Sequence, residues 1–101
     1  MFDDPNDVPL TVDFLLTPNF SLLPFTAAIE PLRSANRMAG QTLYHWRVFS
    51  EDGKPVPASN GVEVMTVGSI FDLKDSDVII VASGIDAHHY KNDRVFGALR
   101  R

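Results

Sequence analysis

The chain alternates between short apolar runs and polar segments rich in turn-forming residues. Residues 10–17 (LTVDFLLT) are apolar and β-branched with a single charge, which predicts a strand buried on both faces, as in a parallel sheet. A second strand is predicted at 44–50 (YHWRVFS). A third, at 78–84 (VIIVASG), shows the clearest pattern of a buried strand. The order of these runs predicts the frame of a parallel sheet.

A helix is predicted between the first two strands. Ser21 suits the N-cap position, and Pro24 falls within the first turn, where a missing N–H costs little. Gly40 is a good residue to end the helix. Pro31 removes one backbone hydrogen bond and predicts a kink. The apolar positions recur at helical spacing and are Phe25, Ala28, Ile29, Leu32, Ala35 and Ala39.

Three further elements are predicted in the second half of the chain. Two strand-like runs flank Asn60 and Gly61, a dipeptide that can adopt the positive φ values of a two-residue type I′ turn, so a β-hairpin is expected. Residues 69–73 predict a short helical turn. Residues 92–101 (NDRVFGALRR) begin an amphipathic helix with Val95, Phe96 and Leu99 as its apolar positions.

This order of elements predicts an α/β fold with a mainly parallel sheet and a β-hairpin excursion. A parallel sheet needs helices on both faces, and this chain supplies barely two, so we expect strands from outside it to complete the sheet. Residues 1–9 are acidic and proline-containing, and predict a flexible leader rather than a signal peptide. Residues 10–101 then form the N-terminal part of one domain.

Composition narrows the classes of function. The formal net charge is −4 and the basic residues are scattered, so direct contact with nucleic acid by this segment is not expected. There is no cysteine, which excludes disulfides, thiolate metal sites and a cysteine nucleophile within these residues. No window approaches the roughly 18 apolar residues of a membrane span, and a cytoplasmic protein without membrane contact is expected.

Three segments carry a family resemblance: PLRSANRMAG (31–40), YHWRVFSEDG (44–53) and PVPASNG (55–61). Their order and spacing resemble the PfpI-like domain, which has the class I glutamine-amidotransferase-like fold. Within that superfamily the chain resembles, over roughly residues 10–101, the N-terminal effector domain of AraC/XylS-type transcription regulators. The resemblance implies a flavodoxin-like or PfpI-like three-layer sandwich that binds a small-molecule effector and forms a homodimer. It implies DNA binding only through a C-terminal helix-turn-helix domain outside this chain.

The resemblance also bears on catalysis. Catalytic PfpI-like proteins place an acidic residue early in the first helix, near a cysteine on a later strand-to-helix turn that would lie beyond Arg101. The acidic position falls on Pro24, or on its neighbours Leu23 or Phe25, and none of these side chains can carry a proton. Glu30, the helix's only carboxylate, comes about two turns later. The chain is therefore expected to contain no catalytic residue.

Candidate ligand-binding residues lie in two loops after the first and last strands, because open α/β sheets bind ligands at the carboxyl ends of their strands. In the first loop, ligand contact and a plain strand-to-helix turn with Phe20 capping the core are equally compatible with the sequence. The ligand-binding residues predicted are Pro18, Asn19 and Phe20 in the first loop, and Gly84, Ile85 and Asp86 in the second.

A metal site in the second loop is not favoured. Asp86, His88 and His89 lack a second cluster to complete a coordination sphere, and a solvated surface loop explains them better. No metal or cofactor is expected. Several regulators that resemble this chain respond to amino-acid-like or quaternary-ammonium metabolites. Tyr44, Trp46 and Phe49 could stack on such a cation. Aromatic residues in strands, however, more often belong to the core.

Two alternatives remain open. One is an enzyme of the same superfamily, a peptidase, glyoxalase-like lyase or hydratase, using a cysteine nucleophile beyond residue 101. The other is a flavodoxin-like domain with a different ligand. The loop at Pro18 argues against the second, because it lacks the hydroxyl-rich or glycine-rich phosphate cradle of such domains.

Overall fold

The computed structural model describes residues 9–84. Its main sheet has four strands in the order β5-β2-β1-β6, all parallel to their neighbours, and a separate antiparallel pair joins β3 and β4. This arrangement confirms the predicted α/β class, with a mainly parallel sheet and a hairpin excursion. The elements along the chain are β1 (Leu10–Leu16), α1 (Leu22–Ala39), β2 (Tyr44–Ser50), β3 (Val56–Pro57), β4 (Glu63–Val64), β5 (Gly68–Ser69), a 3-10 helix (Ile70–Asp72) and β6 (Val78–Ala82).

Strand β1 lies in the interior of the described sheet, between β2 and β6. Its register runs from Leu10 opposite Tyr44 on one side and from Val12 opposite Val78 on the other. Every residue of β1 except Thr11 is buried. The continuous apolar run therefore marks a strand covered on both faces, as predicted.

Helix α1 packs on one face of the sheet through three aromatic rings. Phe25 meets Phe14 of β1 edge to face with ring centroids 5.5 Å apart, and it meets Phe20 in the same way at 5.6 Å. Edge-to-face contact suits the aromatic quadrupole and adds to the stabilisation from burial. The partly buried apolar residues of α1 that pack against this core are Leu22, Ala28, Ile29 and Leu32.

The ends of α1 follow the sequence only in part. Ser21 stands at the N-cap with extended backbone, but its side chain makes no capping hydrogen bond. Gly40 ends the helix in the left-handed region at φ 68°, as predicted. Pro31 lies inside a helix that continues to Ala39, and the kink stays a prediction. Ala39 is exposed, so the predicted apolar face stops short of the last turn.

A second, smaller cluster lies on the sheet face opposite α1. Leu15 and Phe49 are buried there against Ile70 of the 3-10 helix, with Leu73 beside them. The Ser69 hydroxyl accepts a hydrogen bond from the Phe71 N–H at 3.2 Å, which caps that helix. The predicted short helical turn at 69–73 is thereby confirmed.

The hairpin of β3 and β4 is confirmed, but its turn differs from the predicted one. The Ala58 N–H donates to the Val62 carbonyl at 2.8 Å, which closes a three-residue loop rather than a two-residue loop. Gly61 has a positive φ of 89°, whereas Asn60 does not. A type I′ turn needs positive φ at both residues, so that prediction was wrong. The Asn60 Oδ1 instead accepts the Val62 N–H at 3.0 Å.

Strand β6 lies where the sequence places it, but it is less buried than expected. Ile80 and Val81 are 36% and 45% exposed. The reason is topological, because β6 is an edge strand of the described sheet and neither of its faces is fully covered by the described residues. The predicted leader and the amphipathic segment at 92–101 fall outside the described residues, apart from Pro9.

Candidate functional site

The turn between β1 and α1 is hydrogen-bonded directly to the end of β6. The Thr17 N–H donates to the Ala82 carbonyl at 3.1 Å, and the Thr17 hydroxyl donates to the same oxygen at 3.2 Å. The Ser21 N–H donates to the Ser83 carbonyl at 3.1 Å. The carboxyl ends of both strands are thereby joined at one edge of the sheet, where α/β folds bind ligands.

The two predicted loops come into contact at Gly84. A Cβ atom placed on Gly84 would lie 2.2 Å from the Asn19 carbonyl oxygen, a distance that no side chain allows. Asn19 itself has a φ of 62°, a left-handed conformation that asparagine tolerates better than most residues. The two loops are therefore in direct contact at Asn19 and Gly84.

The predicted site residues have different surroundings. Pro18 and Asn19 are exposed, whereas Phe20 is fully buried and its backbone bridges to Ala58. The Phe20 ring thus caps the core, as the plainer of the two interpretations had it, and cannot meet a ligand without rearrangement. Gly84 is half-buried against Asn19. Ile85, Asp86, His88 and His89 lie outside the described residues.

A cavity of about 230 Å³ opens beside this junction, between the first half of α1 and β6. Its described wall is mainly apolar, with two serine hydroxyls as its polar side chains. Such a mixture is typical of sites that enclose a small molecule and orient it with a few polar groups. The residues of that wall are Phe14, Ser21, Pro24, Phe25, Ala28, Ile80, Val81, Ala82 and Ser83.

No carboxylate belongs to the described wall of this cavity. Pro24, which the family resemblance predicts at the position of the helix acid, lines it instead. Glu30 lies on the outer surface, where it pairs with Arg33 at 2.6 Å; both side chains are more than half exposed. The hydrogen bond from Arg33 lowers the pKa of Glu30, so this carboxylate is held charged at the surface and not as a proton donor at the cavity.

A second cavity, of about 220 Å³, lies between the ends of β1 and β2, and Pro18 lines it together with Glu51 and Asp52. The Asp52 Oδ1 accepts the Lys54 N–H at 2.9 Å, and this backbone hydrogen bond lowers the pKa of the Asp52 carboxyl. The buried Ser50 hydroxyl donates to the Lys54 carbonyl at 2.9 Å. These hydrogen bonds stabilise a tight turn at 51–54, so the polar groups here have a structural role.

A buried ion pair lies on the sheet face opposite α1 and was not predicted from the sequence. Asp13, with no solvent exposure, accepts two hydrogen bonds of 2.7 Å from Arg47, its partner in the strand register. The Arg47 guanidinium also donates to the Lys74 carbonyl at 2.8 Å. The hydrogen bond to Asp13 raises the pKa of Arg47. The signal was present in the sequence, as the one acid in the first strand and the one arginine in the second.

The three strand aromatics do not form a single cage. Tyr44 and Trp46 pack, partly buried, on the α1 side of the sheet, whereas Phe49 is buried on the other face. Alternation along β2 makes this separation unavoidable. The cation that lies over the Phe49 ring is the chain's own Arg47, 5.4 Å from the centroid. The structural role of these aromatics is thereby favoured over ligand stacking.

The described residues offer no candidate for a metal site or a membrane span. Within residues 9–84, no three His, Cys, Asp or Glu side chains come together in a group that could hold a metal ion. Across the same stretch, no helix has the length and hydropathy to cross a membrane.

Comparison with known proteins points to transcription regulators. No family model matches the chain. It is 48% identical over 73 residues to the HTH-type transcriptional regulator CdhR of Pseudomonas aeruginosa, covering 72% of this chain and 21% of that protein. The chain thus spans about a fifth of the length of the curated relatives it matches.

Two solved structures have a fold similar to that of this chain. The crystal structure of an AraC family transcriptional regulator from Pseudomonas putida matches with a TM-score of 0.80 and 29% identity, covering 91% of this chain and 49% of that one. A DJ-1 superfamily protein from Agrobacterium tumefaciens matches with a TM-score of 0.66 and 20% identity, covering 91% and 47%. At that identity the second likeness is one of fold alone. Together these matches confirm the predicted fold class and family resemblance.

Proposed function

We propose that this chain, which matches the N-terminal PfpI-like domain of AraC-type transcription regulators, senses a small-molecule effector and catalyses no reaction. The observation that carries the proposal is the cavity of about 230 Å³ at the junction of β1, α1 and β6. It lies at the edge where open α/β sheets bind ligands, and its described wall offers contacts without a reactive group.

The case against catalysis rests on the helix acid. In this chain Pro24 stands at that position and lines the cavity, so no proton can be exchanged there. Glu30 cannot replace the acid, because it is paired with Arg33 on the outer surface. The DJ-1-like fold also houses enzymes, but nothing in the described part of this chain favours that alternative over a binding role.

An amino-acid-like or quaternary-ammonium metabolite is the effector class that we propose. Phe25 contributes an aromatic ring to the cavity wall, with the fully buried Phe14 behind it, and an aromatic ring attracts a cation. The hydroxyls of Ser21 and Ser83 can hydrogen-bond a carboxylate, and the Ser21 side chain makes no capping bond that would compete. Of the residues predicted from sequence, Asn19 and Gly84 are proposed to border this site, because they touch each other next to Ser21 and Ser83. Pro18 lines the other cavity, and Ile85 and Asp86 lie outside the described residues.

The remaining parts of the proposal concern the whole protein. The relatives are named as HTH-type regulators and are far longer than this chain, so DNA binding is assigned to a helix-turn-helix domain outside it. A cytoplasmic location belongs to the same proposal, since a regulator of this type must reach DNA. The homodimer is proposed from the family resemblance alone.

A thermal-shift screen of the complete protein tests the sensing role. A panel of amino acids and quaternary-ammonium metabolites, betaines included, should contain a compound that raises the melting temperature, because a ligand that binds only the folded state stabilises it. At a concentration of 100 times the Kd the gain is about 2.7 kcal/mol. The compound should be recovered chemically unchanged. Turnover of the compound would support the enzyme alternative, and a panel without any stabilising compound would oppose the proposed effector class.

A further inference from the structure

We infer that the β1–α1 turn is a mechanical relay, which couples the end of β6 at the cavity to the β3–β4 hairpin on the other side of the turn. The inference rests on the proposed function in one respect, namely that a ligand in the cavity is what shifts the end of β6. The coupling itself follows from contacts among the described residues and exists with or without a ligand.

On one side, the turn is fixed to the end of β6. Ser21 and Ser83, whose backbones are joined by a 3.1 Å hydrogen bond, both line the cavity. Next to them, Gly84 packs so closely on the Asn19 carbonyl that no room is left for a Cβ atom. A ligand that displaces Ser83 or Gly84 must therefore also displace the turn.

On its other side, the same turn is fixed to the hairpin. The Asn19 N–H donates to the Pro57 carbonyl at 3.0 Å, and the Ser59 N–H donates to the Phe20 carbonyl at 2.8 Å. Phe20 and Ala58 form a parallel bridge, and both are buried in the main core. Asn19 is thus held between Gly84 and Pro57, through its carbonyl on one side and its N–H on the other.

This arrangement leaves the turn little freedom to absorb a displacement. Phe20 is fully buried and wedged edge to face against Phe25, and packed interiors transmit strain rather than dissipate it. The hairpin, by contrast, reaches the surface, where Val62 is 49% exposed and Met65, just beyond β4, is 80% exposed. Movement at the cavity is therefore delivered to an apolar part of the surface, as a signalling domain requires.

Amide hydrogen exchange by NMR, on the full chain with Gly84→Ala, tests the relay. The added methyl group forces the end of β6 away from Asn19. We expect protection at the Asn19 and Ser59 amides to fall about tenfold relative to β1 amides in the same sample, because both hydrogen bonds to the hairpin are strained. The matched control is Gly40→Ala, which is also strained by its positive φ but meets no atom within 4 Å. It should leave the Ser59 amide unchanged relative to β1.

Equal Ser59 protection in the two folded variants would overturn the relay. If Gly84→Ala does not fold, Thr17→Val decides, since it removes only the hydroxyl bond to the Ala82 carbonyl. A lowered Ser59 protection in that variant supports the relay, and an unchanged value overturns it. The relay and the sensing role can fail separately, because exchange is measured without ligand, whereas the sensing role fails when no metabolite stabilises the protein.

Discussion

Asp13 is a fully buried carboxylate, and its oxygens need hydrogen-bond donors from the protein. A charged carboxylate without solvent exposure would cost several kcal/mol if unpaired, and here both of its oxygens accept from the Arg47 guanidinium. Arg47 is further fixed by the Lys74 carbonyl and by the Phe49 ring. The pair therefore ties β1, β2 and the segment before β6 to one register.

Replacing Arg47 by methionine should lower the free energy of unfolding by about 3 kcal/mol, as measured by urea denaturation. This is the low end of the range for breaking a buried pair, because the Arg47 side chain is 36% exposed and partly screened. Arg33→Met breaks an exposed pair with Glu30 and should change stability little. Equal effects of the two substitutions would contradict the structural role of the buried pair.

Individual residues also show which structural properties the sequence predicts and which it does not. The charges of Asp13 and Arg47 are visible in the two strands, but their pairing depends on a register that only the folded sheet supplies. Phe20 reads equally well as a ligand contact or a core residue, and burial decides it. The contact of Gly84 with Asn19 joins residues far apart in the chain, so no local pattern could predict it.

Among the elements, α1 contains the clearest local conflict. Pro31 sits in an otherwise regular helix and is exposed, so tertiary packing of the opposite face, not local propensity, holds the helix together there. Proline at this position removes the hydrogen bond to the carbonyl four residues earlier and crowds it.

Pro31→Ala should therefore stabilise the protein. The relief is about 3 kcal/mol for an interior helical proline, from which about 1 kcal/mol is lost because the unfolded chain becomes more flexible, leaving roughly 2 kcal/mol. Pro24→Ala is the matched control, because a first-turn N–H has no partner within the helix and little is gained there. Thermal and urea unfolding should show the gain for Pro31→Ala alone. No gain there would mean that the helix has already adapted to its proline.

Element order and type followed from hydrophobic pattern for β1, α1, β2, the hairpin, the 3-10 helix and β6. The pattern failed where a property depends on neighbours. The Asn60-Gly61 dipeptide allows several turns, and the Ala58–Val62 pairing selects the three-residue loop. The apolar run of β6 signals burial, yet Ile80 and Val81 are partly exposed at the edge of the described sheet.

At the scale of the whole molecule, the described features that we propose bear on function lie at one edge of the sheet. The cavity, the Pro24 position, the Gly84 contact and the β1–α1 turn all lie where β1 and β6 end. The sequence could place the two loops at this edge, because parallel strands align their carboxyl ends. It could not show the cavity, whose wall combines α1 side chains with β6.

The most direct test of this account is calorimetric titration of the stabilising metabolite against two variants of the complete protein, Ala28→Leu and Ala27→Leu. Ala28 lines the cavity and Ala27 is its exposed neighbour. The same substitution therefore fills the cavity in one variant and only enlarges a surface side chain in the other. We predict that Ala28→Leu weakens binding about 100-fold by occupying the ligand's space, while Ala27→Leu binds as the unmodified protein does. Unchanged affinity in a folded Ala28→Leu variant would contradict the assignment of the effector to this cavity.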